Sequence, residues 1–135
     1  MGTNMFSRDP QINYPAKAEN DLSAKQFHTL ELSGDSQVDI PDDEADICAG
    51  VLQNKPKSGR WADVCAIGIT KVRAGVAITA GNKIVSASGG WVRPVSTTGS
   101  GKRIIGQVLV GASSGGTGVA IINLANAVSS VTSTP

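Results

Sequence analysis

The stretch Val76-Ala-Ile-Thr-Ala-Gly-Asn-Lys-Ile-Val-Ser-Ala-Ser-Gly-Gly-Trp-Val-Arg-Pro-Val95 decides the fold class. Its short apolar runs, Val76 to Ile78, Lys83 to Ala87 and Trp91 to Val95, are separated by Ala80-Gly81-Asn82 and Ser88-Gly89-Gly90. Runs this short, bounded by glycine turns, fit strands and leave no room for helices. The pattern continues on both sides. Downstream, Ile104 to Val110 and Val119 to Leu124 flank the loop Gly111 to Gly118, as a hairpin or a longer crossover. Upstream, Ala62 to Ala74 reads as one long strand or as two bent at Gly68, and Ile47 to Gln53 as another. Earlier still, Phe27 to Leu32 alternates with period two, and Val38 with Ile40 forms a short strand ended by Pro41. One short helical turn fits after Asn20 or Asp21. The fold class is therefore all-β, a small antiparallel β-barrel or β-sandwich with an extended N-terminal arm.

Three segments follow from this reading. Residues 1–20 form the arm, residues 21–124 the β domain, and residues 125–135 a Ser/Thr-rich tail. Pro10 and Pro15 exclude a helix in the arm, which still carries Met5, Phe6, Ile12 and Tyr14 as apolar anchors for another surface. On this reading the arm orders only on a partner, and removing residues 1–19 leaves the domain folded.

The composition narrows the function. A net charge of +1 does not suit a nucleic-acid binder, which needs a basic excess to displace counterions. No run of about 18 apolar residues is present to span a membrane, and Met1 to Pro10 has no apolar region of a secretory signal. Sixteen glycines argue against a helical bundle. The charge is unevenly spread. Residues 1–63 hold all 11 acids and 6 bases, which sums to −5, and the remaining 6 bases follow without an acid. Such a chain suits head-to-tail packing of copies, if the two halves map to different faces.

Catalytic constellations are missing. His28 is the single histidine, has no local partner, and reads as a surface residue of a strand. Cys48 and Cys65 sit in apolar stretches and read as buried free thiols. Together with His28 they fall short of a zinc set. The run Asp39, Asp42, Asp43, Glu44, Asp46 lacks the spacing of a calcium loop and reads as a solvated acidic loop. Gly99-Ser-Gly-Lys102 looks like part of a phosphate loop, but Arg103 stands where the metal-binding hydroxyl belongs. Trp61 and Trp91, beside Arg60 and Arg93, could stack on a base or sugar, although core or interface packing is commoner for them. No enzyme activity, cofactor or metal is expected.

The series Gly50-Val-Leu-Gln-Asn-Lys-Pro56, Gly59, Ala62, Val64, Gly68 and Ala74-Gly75 continues in order through Ala80-Gly81, Gly90, Ile105-Gly106, Ala112-Ser113, Gly115 and Ile121. With Asp21-Leu-Ser-Ala24 before it, this series resembles the small head cement, or capsid decoration, proteins of bacteriophages, across roughly residues 20–124. The arm and the acidic segment Asp35 to Asp46 are longer than that family's pattern. The resemblance implies a β-rich, non-catalytic virion protein, made in the host cytoplasm, that binds the major capsid protein on the outside of the head and stabilises it, often as a homotrimer. In such a trimer, Asp42, Asp43 and Glu44 of one copy would face Lys71, Arg73, Lys102 or Arg103 of the next. The uncharged strands Ile104 to Val110 and Val119 to Leu124 would supply the apolar contact. The alternative is a carbohydrate- or host-surface-binding β module on the virion, with Trp61, Trp91 or Tyr14 as sugar platforms.

Overall fold

The structure, a computed structural model, describes residues 10–42, 47–95 and 104–124. Nine strands account for it: β1 (Gln11–Ala18), β2 (Thr29–Gly34), β3 (Gln37–Asp39), β4 (Cys48–Leu52), β5 (Trp61–Arg73), β6 (Lys83–Ser86), β7 (Val92–Pro94), β8 (Ile104–Val110) and β9 (Thr117–Asn123). No α-helix occurs among the described residues, as the all-β reading requires. The short apolar runs between glycine turns become β6, β7, β8 and β9, and β8 and β9 pair as an antiparallel hairpin. Val76 to Ile78 is the exception. It makes a single bridge, Ile78 to Ala112, because the chain at Gly75 is already held by Val92 through a 2.9 Å N–H to carbonyl bond.

Hydrogen bonding orders the strands β1-β3-β2-β4-β5-β9-β8-β6-β7, and β1 returns to pair with β5. The first five strands therefore close into a small barrel. Its core is Ala16, Ala18, Leu22, Leu30, Val38, Ala49, Leu52, Ala62 and Val64. The other four extend from the far half of β5, where Ile67 to Arg73 pair with β9. That sheet curls until Ala74, just past β5, bridges Val92 of β7, and it encloses a second core around Val72, Ile78, Ile84, Ile105 and Ile122. One thirteen-residue strand thus serves both cores.

The arm expectation needs correction at its C-terminal half. Residues 11–18 are the barrel's closing strand, antiparallel to β5 from Gln11–Gly68 to Lys17–Trp61. On its other side β1 meets β3 only at Lys17 and Ala18, so Pro15 leaves no ladder partner waiting for its missing N–H. Pro15 excludes a helix but not a strand of this kind. The buried side chains of β1 are two alanines, too small to signal a core strand in the sequence. Met5 and Phe6 lie outside the described residues.

Gly68 and Gly50 are required where strands cross closely. Gly68 has φ +139°, and a Cβ there would overlap the Pro10 carbonyl oxygen and lie 2.7 Å from Gln11 Cα. Gly50, at φ +142°, would overlap Val64 and approach the Cys65 carbonyl oxygen to 2.6 Å. Gly59, at φ +79°, has nothing within 4 Å of its Cβ position. Two outcomes are expected. Gly59→Ala loses about 1 kcal/mol, the conformational cost alone, whereas Gly68→Ala loses at least about 3 kcal/mol or fails to fold. Urea denaturation distinguishes them, and equal losses would show that β1 is not seated on β5. Truncation to residue 19 removes β1 and should abolish the β-rich circular dichroism spectrum. A folded truncation would show that the barrel does not depend on its closing strand.

Candidate docking surface

Two-residue alternation along β5 sends Ile67, Ile69, Lys71 and Arg73 to one face. Ile67 is the cross-strand partner of Ile12 on β1, and Ile69 of Ile121 on β9. Cross-strand partners share a face, so Ile12, Ile67, Ile69 and Ile121 form an apolar stripe across three strands. Ile12 is 63% exposed because the register shifts between it and Asn13. Tyr14, by contrast, faces the barrel core, and its hydroxyl donates to the Ala49 carbonyl at 2.5 Å. Burial holds the Tyr14 hydroxyl above its ordinary pKa. Ile12 is thus left at the surface, and Tyr14 is committed to the fold.

Past the stripe the same face turns basic. Lys71 and Arg73 line a cleft of about 580 Å³ with Lys55, Gln26 and Phe27. Among the described residues none of the three cations makes an ion pair. Phe27 has φ +70°, a left-handed conformation that costs a bulky side chain of order 1–3 kcal/mol. Its N–H bonds to the Leu52 carbonyl at 2.7 Å, and its carbonyl accepts from the Arg73 N–H at 3.2 Å. These bonds hold the strained turn and set the ring 5.7 Å from the Lys71 Nζ. Sequence reasoning paired Lys71 with Arg73 but missed Lys55 and Phe27. Both arrive from loops distant in sequence, and no local signal marks them.

Arg73 also packs against Trp91, which walls a second cleft. Its guanidinium lies 5.4 Å from the Trp91 ring, its Nη2 donates to the Gly115 carbonyl at 3.0 Å, and its Nε is buried without a partner. His28 meets Trp91 edge to face, with centroids 4.7 Å apart. His28 is 3% exposed, which corrects its reading as a surface residue. It precedes β2 at the seam between the two cores, where Thr29 Oγ1 and Ser86 Oγ share a buried hydrogen bond of 2.6 Å. The cleft beyond Trp91, about 370 Å³, has a floor of Ala74, Gly75 and Ala87 and a rim bearing Ser88, Arg93 and Ser114. Trp61 lies elsewhere, 57% exposed with Lys17 Nζ 5.6 Å from its ring.

Cys48 and Cys65 are free thiols pushed up to about 11 by burial. Asp42 is exposed. Asp43, Glu44, Lys102 and Arg103 lie outside the described residues. Among the described residues no group of three His, Cys, Asp or Glu is placed to hold a metal ion. No described helix is long and apolar enough to cross a membrane.

The class defined by these features is a small all-β protein, built from a closed barrel and a sheet that shares one of its strands. No protein-family model matches the chain. No curated protein matches it either. Among solved structures, it is similar to the N base of the head fiber protein gp8.5 of bacteriophage phi29. The superposition has a TM-score of 0.61, covers 85% of this chain and 96% of that one, and carries 19% identity. Identity that low shows a shared fold.

Burial, then the charges of Lys25 and Arg73, lower the His28 pKa from 6.5 to about 4, against a smaller upward pull from the Gly89 and Gly90 backbone. The unfolded chain therefore takes up a proton near pH 6.5 that the folded protein refuses until about pH 4. Stability from the neutral imidazole is complete above about pH 6.5 and falls as pH drops toward 4. Urea midpoints should decline between about pH 6.5 and 5, above the carboxylate range, and this decline should vanish in His28→Gln. A slope retained in that variant would assign it to other groups.

Proposed function

We propose that this chain is a structural protein of a phage virion, a cement or decoration protein that binds the outer capsid surface and stabilises it. The observation that carries the proposal is the fold shared with a phage head fiber base across 96% of that domain. A head-attached domain of this size needs a surface that seats on a larger assembly. The apolar stripe Ile12, Ile67, Ile69, Ile121 and the adjoining cations Lys55, Lys71 and Arg73 suit that role. Apolar area supplies the affinity, and the cations set register and association rate.

The partners we propose are the major capsid protein and two further copies of this chain. The segment with Asp42, Asp43 and Glu44 supplies the acidic side of the contact between copies, against Lys71 and Arg73, joined by Lys102 and Arg103. Met5 and Phe6 extend the contact made by Ile12. Exposed pairs of this kind contribute about 0–1 kcal/mol each, so they select the mating geometry rather than drive it.

The protein should co-sediment with heads of its parent phage and raise the temperature at which they release DNA. Ile12→Asp with Ile121→Asp should abolish co-sedimentation with the fold intact. Lys55→Glu with Lys71→Glu should weaken it at least tenfold, more at low salt than at high. Failure of the wild-type protein to sediment with heads lacking their own copies would overturn the proposal. Sedimentation velocity reads the trimer separately, and a monomer at capsid-like concentration would remove that part alone.

A further inference from the structure

We propose that the cleft beside Trp91 is a saccharide-binding site, taking one or two pyranose units. This inference is independent of the capsid-binding role, because the Ile12 to Ile121 stripe and the Lys55 cleft do not use the same surface.

A pyranose ring has an apolar face of C–H groups and a rim of hydroxyls that each donate and accept. A site for it needs a fixed aromatic wall, a floor of small groups, and hydroxyls or cations around the edge. Trp91 supplies the wall. His28 abuts it edge to face at 4.7 Å, and Arg73 lies 5.4 Å from its centroid. Neither residue lines the cleft, so both support the indole from other sides and leave the remaining surface to a ligand. Such bracing removes most of the ordering cost of binding.

The floor is built to stay low. A Cβ on Gly75 would lie 2.9 Å from Trp91 Cβ. Ala74 and Ala87 add only methyl groups, and the exposed Val76 adds an apolar edge. At the rim, Ser114 Oγ donates to the Gly75 carbonyl at 3.0 Å and so turns its lone pairs outward as acceptors. Ser88 adds a second hydroxyl, and Arg93 brings donors to the same edge. The volume, about 370 Å³, lies at the small end of ligand sites. An open cleft of this kind, walled by tryptophan and rimmed by hydroxyls, suits a sugar better than an apolar peptide side chain, which wants a closed, dry pocket.

The test is amide chemical-shift mapping of the full chain against glucose, galactose, N-acetylglucosamine and their β-1,4-linked dimers, each to about 20 mM, with adenosine monophosphate as the competing aromatic ligand. At least one sugar should shift Gly75, Ser88, Ser114 and the Trp91 indole N–H together, with a Kd near 1 mM. Trp91→Ala should lose binding at least tenfold. Because that variant also strips packing from His28, Ser88→Ala with Ser114→Ala is the second arm. It should weaken the sugar at least fivefold with an unchanged spectrum elsewhere, and Trp61→Ala should have no effect. Silence at these amides with every sugar would overturn the proposal. So would shifts centred on Trp61, or adenosine monophosphate binding at this cleft in place of the sugars.

Discussion

The constraint on which the rest depends is the double use of β5. Its first half is paired on one side by β1 and on the other by β4, while its second half is paired by β9. Ala62 and Val64 fill one core and Val72 with Ala74 the other. Partners change around Gly68, where the Ile69 N–H bonds to the Pro10 carbonyl at 3.1 Å. A side chain at Gly68 would hold the start of β1 away, and the barrel would open at its closing seam. An open seam exposes an unpaired strand edge, which invites pairing with other chains. The two halves are therefore coupled through one backbone and not merely adjacent.

That coupling explains which parts of the fold were legible. The second half was readable because its strands are short runs rich in Val and Ile bounded by glycine turns, and β6 with β7 and β8 with β9 pair as neighbours in sequence. β1 was not readable. Its core residues are Ala16 and Ala18, and its main partner begins at Trp61, on the far side of three other strands. His28 was misread for the same reason. Its burial comes from Trp91 and the seam between the cores, and nothing in residues 25–31 announces either.

The docking surface divides along the same line. Strand alternation alone puts Lys71 and Arg73 on one face, so their association was visible in the sequence. Lys55 and Phe27 join them only because the chain brings two loops back over the end of β5. Phe27 adopts a left-handed backbone there, with both of its backbone polar groups bonded, to Leu52 and to Arg73. A strained aromatic residue held by two strands at the edge of a basic cleft is a feature the fold sustains at a cost.

The balance of charge and apolar surface is what fits such a cleft to the docking role proposed for it. Only 17% of the residues are charged, so each cation weighs heavily in the local field. The isoleucine stripe alone would bind any apolar surface of the right curvature, with little control of orientation. Cations at one end of the stripe reject every docking pose that leaves them facing apolar groups, because desolvating an unpaired charge costs several kcal/mol. Arg73 strengthens that control. It is held by the Gly115 carbonyl and against Trp91, so its charge is fixed in place before any partner arrives. A preplaced charge loses little side-chain freedom on docking, whereas the exposed Lys71 must be ordered at that moment. The face thus combines an adaptable cation, a rigid one and an apolar stripe, and in the proposed docking role their order along β5 and its neighbours would specify orientation.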